Sequence, residues 1–294
     1  MISIEEQPEL YTKVFGSVRR ALSRRFPYAI YFLRDGPPKR WTKRSMTAFR
    51  DHFSALAGNY ARYRPGYPAA LFEYLADLAP SHRKAWDCAT GSGQAALGLA
   101  AHFESVVATD ASAEQLAAAE PISKVVYRVA PAERSGLEKG SVDLVTVAQA
   151  LHWFDVDRFY TEVRRVLAPG GVIAVWCYNL LSVDEAVDAV IDRLYSHVLE
   201  PYWPLERRFV ENGYRGLPFP FREIEPLGYS MEAHWDLARL LGYLNSWSAT
   251  NRFTEATRRD AVEEIRRVLE DAWGDPSKLR RVCWPLTLRI GRFE

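Results

Sequence analysis

The chain has 294 residues, enough for one large domain or a domain with a cap, and 48% of them are hydrophobic, so a sizeable core can form. A formal net charge of +1 gives no general pull toward nucleic acid or membrane, and no apolar run approaches the roughly 20 residues that a membrane span needs. Cys88, Cys177 and Cys283 are odd in number and scattered, which speaks against a disulfide framework or a zinc site and favours a reduced, cytoplasmic compartment.

Residues 1–45 stand apart. They carry ten Lys/Arg against four Asp/Glu, whereas the rest of the chain carries 28 against 33. Glu5, Glu6 and Glu9 argue against a transit peptide, because such leaders are poor in acids. The segment reads as a basic extension outside the working domain, which is expected to span residues 46–294.

From Met46 the text becomes domain-like. Phe49 to Tyr63 reads as a helix, punctuated by Arg64-Pro65-Gly66-Tyr67-Pro68. Pro68 to Leu78 reads as a second helix with Leu71, Phe72, Leu75 and Leu78 on one face. Strands and helices then alternate: strand Ala85–Ala89, helix Gln94–Phe103, strand Ser105–Thr109, and a helix at Ser112 where Ser112 and Gln115 make a capping box. Strands Val125–Val129 and Val142–Val147 follow, then a helix from Asp155 that buries Phe159, Tyr160, Val163 and Val166. Pro169-Gly170-Gly171 stops that helix and launches strand Val172–Trp176. Five strands alternating with helices imply a parallel sheet with helices on both faces.

The pattern changes after Tyr178. A helix carrying Val187, Val190, Ile191, Leu194 and Val198 leads to the aromatic run Pro201-Tyr202-Trp203-Pro204, and residues 179–220 read as a helical cap insertion. A strand is expected around Phe221–Met231, helices over Leu237–Trp247 and Thr254–Trp273, and a last strand over Val282–Gly291 that Pro285 pushes toward an edge position.

The chemistry concentrates in Trp86-Asp87-Cys88-Ala89-Thr90-Gly91-Ser92-Gly93-Gln94 and in Thr109-Asp110 at the end of the next strand. Gly91-x-Gly93-x-x-Ala96 followed by Asp110 also fits the dinucleotide fingerprint. That fingerprint uses a helix N-terminus to hold a pyrophosphate. Here Asp87 immediately precedes the turn, where its charge would repel phosphate and suit the ammonium and sulfonium of S-adenosylmethionine (SAM). Asp110 would accept the ribose hydroxyls, or serve as a helix cap, or both. Ligands in such sheets bind outside the carboxyl ends of the strands, where the strand order reverses, so Gly91, Asp110, Ala132, Glu133 and Gln149 are expected around one crevice.

Taken together, Asp87–Gly93, Thr109-Asp110-Ala111-Ser112, Val142-Asp143-Leu144-Val145 and Arg164-Arg165-Val166-Leu167-Ala168-Pro169-Gly170-Gly171 resemble the class I SAM-dependent methyltransferases in order and spacing. Ala148-Gln149-Ala150-Leu151-His152-Trp153-Phe154-Asp155, with Asp51-His52-Phe53-Ser54 and Tyr60-Ala61-Arg62-Tyr63-Arg64-Pro65, resembles the type 11 family and especially its trans-aconitate methyltransferase branch. The resemblance implies an α/β fold: a seven-stranded, mostly parallel, Rossmann-like sheet whose last strand is antiparallel. It also implies SAM as cofactor. Its glycine loop maps to Ala89, Gly91 and Gly93, with Ala89 where many members have glycine. Its ribose acid maps to Asp110 and its adenine segment to Ala130-Pro131-Ala132-Glu133. Pro131 stands where many relatives place an aspartate, which leaves the Ala132 backbone N–H for adenine.

SAM carries its own leaving group, so alignment of the reacting atoms is the main task, and a base is needed only for a protonated nucleophile. His152 is the base candidate; the alternatives are a wall residue or a packed ring beside Trp153 and Phe154. Arg64 could fork onto the methionine carboxylate or an acidic substrate. Tyr60, Tyr63, Trp153, Tyr202 and Trp203 are the substrate-side candidates, and aromatics beside Arg207 and Arg208 suit a flat or anionic acceptor. Gln149-Ala150-Leu151-His152 replaces the Asn/Asp-Pro-Pro-aromatic motif, which disfavours nucleobase amino groups as acceptors. The acidic domain likewise disfavours nucleic acid. The expectation is therefore methylation of a small molecule, a carboxylic acid among the candidates, with a SAM-binding protein without catalysis and an NAD-dependent dehydrogenase as alternatives.

Overall fold

The computed structural model describes residues 65–294. The expected extension 1–45 and the helix Phe49–Tyr63 lie outside the described residues, as do Tyr60, Tyr63 and Arg64.

The first described helix, α1 (Ala69–Leu78), buries Leu71, Phe72, Leu75 and Ala76, the face that its apolar spacing dictates. Strand β1 (Lys84–Cys88) then enters the sheet, followed by α2 (Gln94–Ala100), β2 (Ser105–Asp110), α3 (Ala113–Ala117), β3 (Val125–Val129) and β4 (Val142–Ala148). Helix α4 (Val156–Val166) is capped by Asp155, whose side chain accepts the Arg158 N–H, and β5 (Leu167–Tyr178) follows it. The cap half of the molecule contains α5 (Glu185–Arg193), α6 (Arg207–Glu211), β6 (Arg222–Ile224), β7 (Tyr229–Trp235), α7 (Leu237–Asn245), α8 (Ser248–Thr257), α9 (Ala261–Trp273) and β8 (Arg280–Arg292).

The sheet order is β3-β2-β1-β4-β5-β8-β6, with β7 also paired to β8. Strands β1 to β5 pair in parallel, while β8 runs antiparallel to β5, β6 and β7. The parallel strands are those that the alternating pattern predicts, and the antiparallel last strand is the one that the resemblance implies. The interior strands β1, β2, β4 and β5 are nearly continuous apolar runs because helices cover both of their faces. One core cluster joins α1, α2 and the cap helices to one face; the other packs α4 and residues around Val210–Phe221 on the opposite face.

Three local expectations change. The strand expected around Phe221–Met231 is two strands in line: Ile224 pairs with Ile290 and Tyr229 with Leu286. Four residues, including Pro226 and Gly228, thus face three on β8, and the sheet keeps seven positions with a bulge in the last. Thr254–Trp273 is not one helix, because Arg258 turns left-handed at φ 59° and Asp260 opens α9 by accepting the Val262 and Glu263 N–H groups. Strand β8 is interior rather than at an edge. Pro285 is tolerated because its nitrogen side falls between the Ser182–Cys283 bridge and the start of β5 pairing at Leu286.

Candidate functional site

The order reverses between β1 and β4, so the crevice opens at the carboxyl ends of those two strands. Both ends turn sharply there, in left-handed backbone conformations. Ala89 follows β1 at φ 55° and Gln149 follows β4 at φ 56°. A non-glycine residue in this region costs roughly 1–2 kcal/mol. Five such residues occur among the described residues, and a third, Tyr214 at φ 61°, touches His152. Strain of this kind concentrates at functional sites when surrounding contacts hold it in place.

The loop after β1 is built on Asp87 and Asp110. Asp87 is fully buried, accepting the Thr90 hydroxyl at 2.5 Å and the Thr146 hydroxyl at 2.9 Å. Burial pushes its pKa up to about 6, against the lowering effect of the two threonine bonds. Asp87 therefore stands behind the loop and fixes it. Asp110 lies at the rim instead. One carboxylate oxygen accepts the Gly91 N–H at 2.9 Å and the other the Ser112 N–H at 2.9 Å. Ser112 in turn accepts the Gln115 N–H, one half of the expected capping box. Gly91 and Gly93 have φ of 56° and 87°, and a Cβ on Gly93 would meet Tyr127 Oη at 2.5 Å. Gly93 thus answers both a backbone need and the close approach of β3.

The neighbouring strand ends complete the rim. The Ala130 N–H bonds the Asp110 carbonyl, which draws the segment after β3 to the tip of β2. Ala132 is buried in that segment, and Glu133 accepts the Asp155 N–H at 3.1 Å, so one of its oxygens is occupied in holding the start of α4. The buried Cys88 thiol is raised well above its ordinary pKa first by burial and then by Asp87, Asp110 and Glu133. The three carboxylates thus act on the same thiol, an environment that disfavours a further negative charge there.

Gln149 is engaged differently from expectation. Its amide bonds the Tyr178 main chain on both sides, so it positions strand tips and has no amide group left over for a ligand except an outward lone pair or proton. His152 lies on a short 3-10 turn, Leu151–Trp153, just past β4. Its ring sits 4.7 Å from Trp153, and its Nδ1 lies 3.0 Å from Tyr214 Oη. Tyr214 is fully buried. Burial, with the Arg207 charge adding to it, lowers the His152 pKa to about 3. A ring this hard to protonate is a poor general base and a good neutral donor.

On the cap side, Trp203 stacks 4.7 Å from Tyr195 and its indole N–H bonds the Tyr195 carbonyl at 3.2 Å. Tyr202 packs edge-on against Phe253 at 5.3 Å, so it serves the cap interior more than the crevice. Arg207 emerges from the same insertion, and α6 packs on the His152 turn. Tyr214 and Arg207 are the residues that sequence reasoning underused. The only written hint for Tyr214 is Asn212-Gly213 after a short helix, a stop signal that leaves the role of the following tyrosine unstated.

Several known proteins resemble this chain. Residues 86–175 match the family described as "Methyltransferase domain". A methyltransferase of Dictyostelium discoideum is 32% identical over 256 residues, covering 84% of this chain and 97% of that protein. Methyltransferase ptaI of Pestalotiopsis fici is 23% identical over 307 residues, covering 79% and 91%. Among solved structures, a type II methyltransferase of Anaeromyxobacter dehalogenans superposes with a TM-score of 0.75 at 49% identity, covering 78% of this chain and 98% of its own.

Proposed function

The chain belongs to the SAM-dependent methyltransferases, and on that premise we propose that it methylates a carboxylate oxygen of a small organic acid. SAM, when bound, supplies a methyl group activated by a sulfonium centre. The residues present suit it: Asp110 offers carboxylate lone pairs to a ribose, the Asp87–Asp110–Glu133 patch suits a cation, and the backbone at Ala89, Gly91 and Gly93 allows close approach. The same patch disfavours the dinucleotide reading of these glycines. Asp110 is the cofactor-binding residue on this reading, with Ala132 contributing its backbone to the adenine side. Glu133 and Asp87 act through charge, and Arg64, outside the described residues, is assigned to an anionic group.

The observation that carries the acceptor assignment is the neutrality of His152. With Nδ1 engaged by Tyr214 and a pKa lowered to about 3, the ring is not equipped to remove a proton from a hydroxyl or a carbon acid. A carboxylate arrives already ionised and needs no base. The likeness of residues 148–155 and 51–65 to the trans-aconitate methyltransferase branch supports the same acceptor class. His152 and Trp153 then wall the reacting end, excluding water and aligning the acceptor, and proximity can supply roughly 7–11 kcal/mol of such a barrier.

The test is a screen of small organic acids with methyl-labelled SAM, in which each product is checked for alkali-labile ester. Esters formed from acids support the reading; label appearing only on amines, alcohols or carbon, or binding of SAM without turnover on any acceptor, overturns it. Residues 46–294 are taken as the catalytic domain, so a chain lacking residues 1–45 should bind SAM with unaltered affinity.

A further inference from the structure

Arg207 is a half-buried cation whose hydrogen-bond partners among the described residues are neutral groups. Its guanidinium lies 5.1 Å from the centre of the Trp203 ring and 5.5 Å from that of Tyr195. Nε donates to Tyr195 Oη at 2.9 Å, and Nη2 donates to Asn179 Oδ1. Nη1 has no partner among the described residues, and no carboxylate lies within 4.0 Å of the guanidinium among them. Glu211 is linked to it through Tyr195, whose hydroxyl donates to Glu211 Oε1. Other arginines of the domain are neutralised directly: Arg165 by Glu162, Arg280 by Asp184, Arg289 by Glu223.

Its position is as telling as its partners. Asn179 is the residue just past β5, and His152 stands just past β4, so Arg207 faces the carboxyl tips of the two strands beside the crevice. Arg208, next in sequence, is exposed to solvent. A desolvated cation without a counter-ion is costly, and the cost is relieved when an anion arrives. Two of the three guanidinium nitrogens are tied to Tyr195 and Asn179, which holds the planar group still and leaves Nη1 without a partner among the described residues.

We propose that Arg207 is the specificity-determining residue of the acceptor site, binding a carboxylate of the substrate through Nη1 with Trp203 and Tyr195 as the aromatic walls. The assignment rests on the reading of this protein as a carboxylic-acid methyltransferase and names the residue that selects the acid. His152 complements it as an uncharged neighbour. The aromatic walls fix the guanidinium plane, and a lysine in its place would supply charge without that fixed plane.

The experiment pairs trans-cinnamate with trans-cinnamamide and succinate with succinamide, measured by calorimetry on the full chain saturated with S-adenosylhomocysteine. Acids are expected to bind and amides to bind at least tenfold more weakly. Arg207→Gln should weaken acid binding at least tenfold, leave amide binding and SAM affinity unaltered, and, for any acid that turns over, raise KM more than it lowers kcat. Arg207→Lys should recover part of the acid affinity and serves as the folded control if the glutamine variant aggregates. Equal binding of acids and amides, acid affinity indifferent to Arg207→Gln, or no binding of either acid overturns the proposal. Acid binding that depends on Arg207 in a protein that forms no esters would instead sustain the anion site and overturn only the O-methylation reading.

Discussion

The side-chain amide of Gln149 pairs with both main-chain groups of Tyr178: Nε2 donates to the carbonyl at 3.0 Å, and Oε1 accepts the N–H at 2.9 Å. Strand β4 ends at Ala148, whose partner on β5 is Trp176, and the Gln149 backbone then turns away at φ 56°. The amide continues the ladder after the backbone has left it. Asn179, which holds Arg207, is the residue just past β5, so this clamp lies next to the anchor of Arg207.

Gln149→Leu should lower stability by about 2 kcal/mol, two hydrogen bonds at about 1 kcal/mol each. It should also weaken acid binding, because the Asn179 anchor loosens. Urea unfolding followed by fluorescence measures the first effect; a midpoint equal to that of the parent protein would mean that the clamp is idle.

Asp110→Ala removes the acceptor of two loop N–H groups, those of Gly91 and Ser112. It should weaken SAM binding by about 1.5–3 kcal/mol, the worth of hydrogen bonds to a charged group. Asp110→Asn, which keeps one acceptor oxygen, should lose less. Calorimetric titration with SAM decides the matter, and an unaltered affinity in the alanine variant would remove Asp110 from the cofactor site.

Two groups should give opposite pH signatures. The His152 pKa is lowered from 6.5 to about 3 by burial and by Arg207, so its favourable contribution is complete above pH 6.5 and is lost as pH falls through 3. Asp87 is raised from 3.8 to about 6 by burial, so its contribution is complete below pH 3.8 and is lost as pH rises through 6. Between pH 4 and 6 the two oppose each other. Thermal melts over pH 4–8 should show His152→Gln losing less stability than the parent on acidification, and Asp87→Asn losing less on alkalinisation up to about pH 7. Parallel curves for parent and variant would refute the corresponding burial argument.

Gly93 is constrained twice, by φ 87° and by Tyr127 Oη at 2.5 Å from a would-be Cβ. Gly93→Ala should therefore destabilise by at least ~1–2 kcal/mol from the backbone alone, with the clash adding to it. In a Tyr127→Phe background the next ring atoms stand at 3.3 Å, so part of the cost should disappear. A double-mutant cycle on urea midpoints separates the two terms; zero coupling would show that the tyrosine moves aside freely. Ala89→Gly should be neutral or stabilising by up to about 1 kcal/mol, since it relieves the left-handed strain at φ 55° at the expense of chain entropy.

The order of strands and helices from β1 to β5, the glycine turn, and the acids at Asp87 and Asp110 were legible because each depends on local signals: buried apolar runs, breakers and caps. The cap region was legible only in part. A bulge such as the one at Pro226 and a left-handed stop such as Arg258 leave weak local traces, so one expected strand became two and one expected helix became two. The last strand was misplaced toward an edge because a proline inside a sheet is tolerated only where its nitrogen meets no partner, and pairing partners are not written in the strand's own residues.

Sequence alone determined the parallel core, the crevice at its reversing strand order and the cofactor class, because those follow from periodicity and from residues near one another in the chain. Tertiary structure alone decided that Asp87 is buried behind the loop, that Gln149 braces Tyr178, that Tyr214 meets His152 and that Arg207 has no carboxylate partner among the described residues. Each of these is a relation between residues up to 62 positions apart, and burial, which moves the pKa values and makes an unpaired charge costly, exists only once the chain has closed around them.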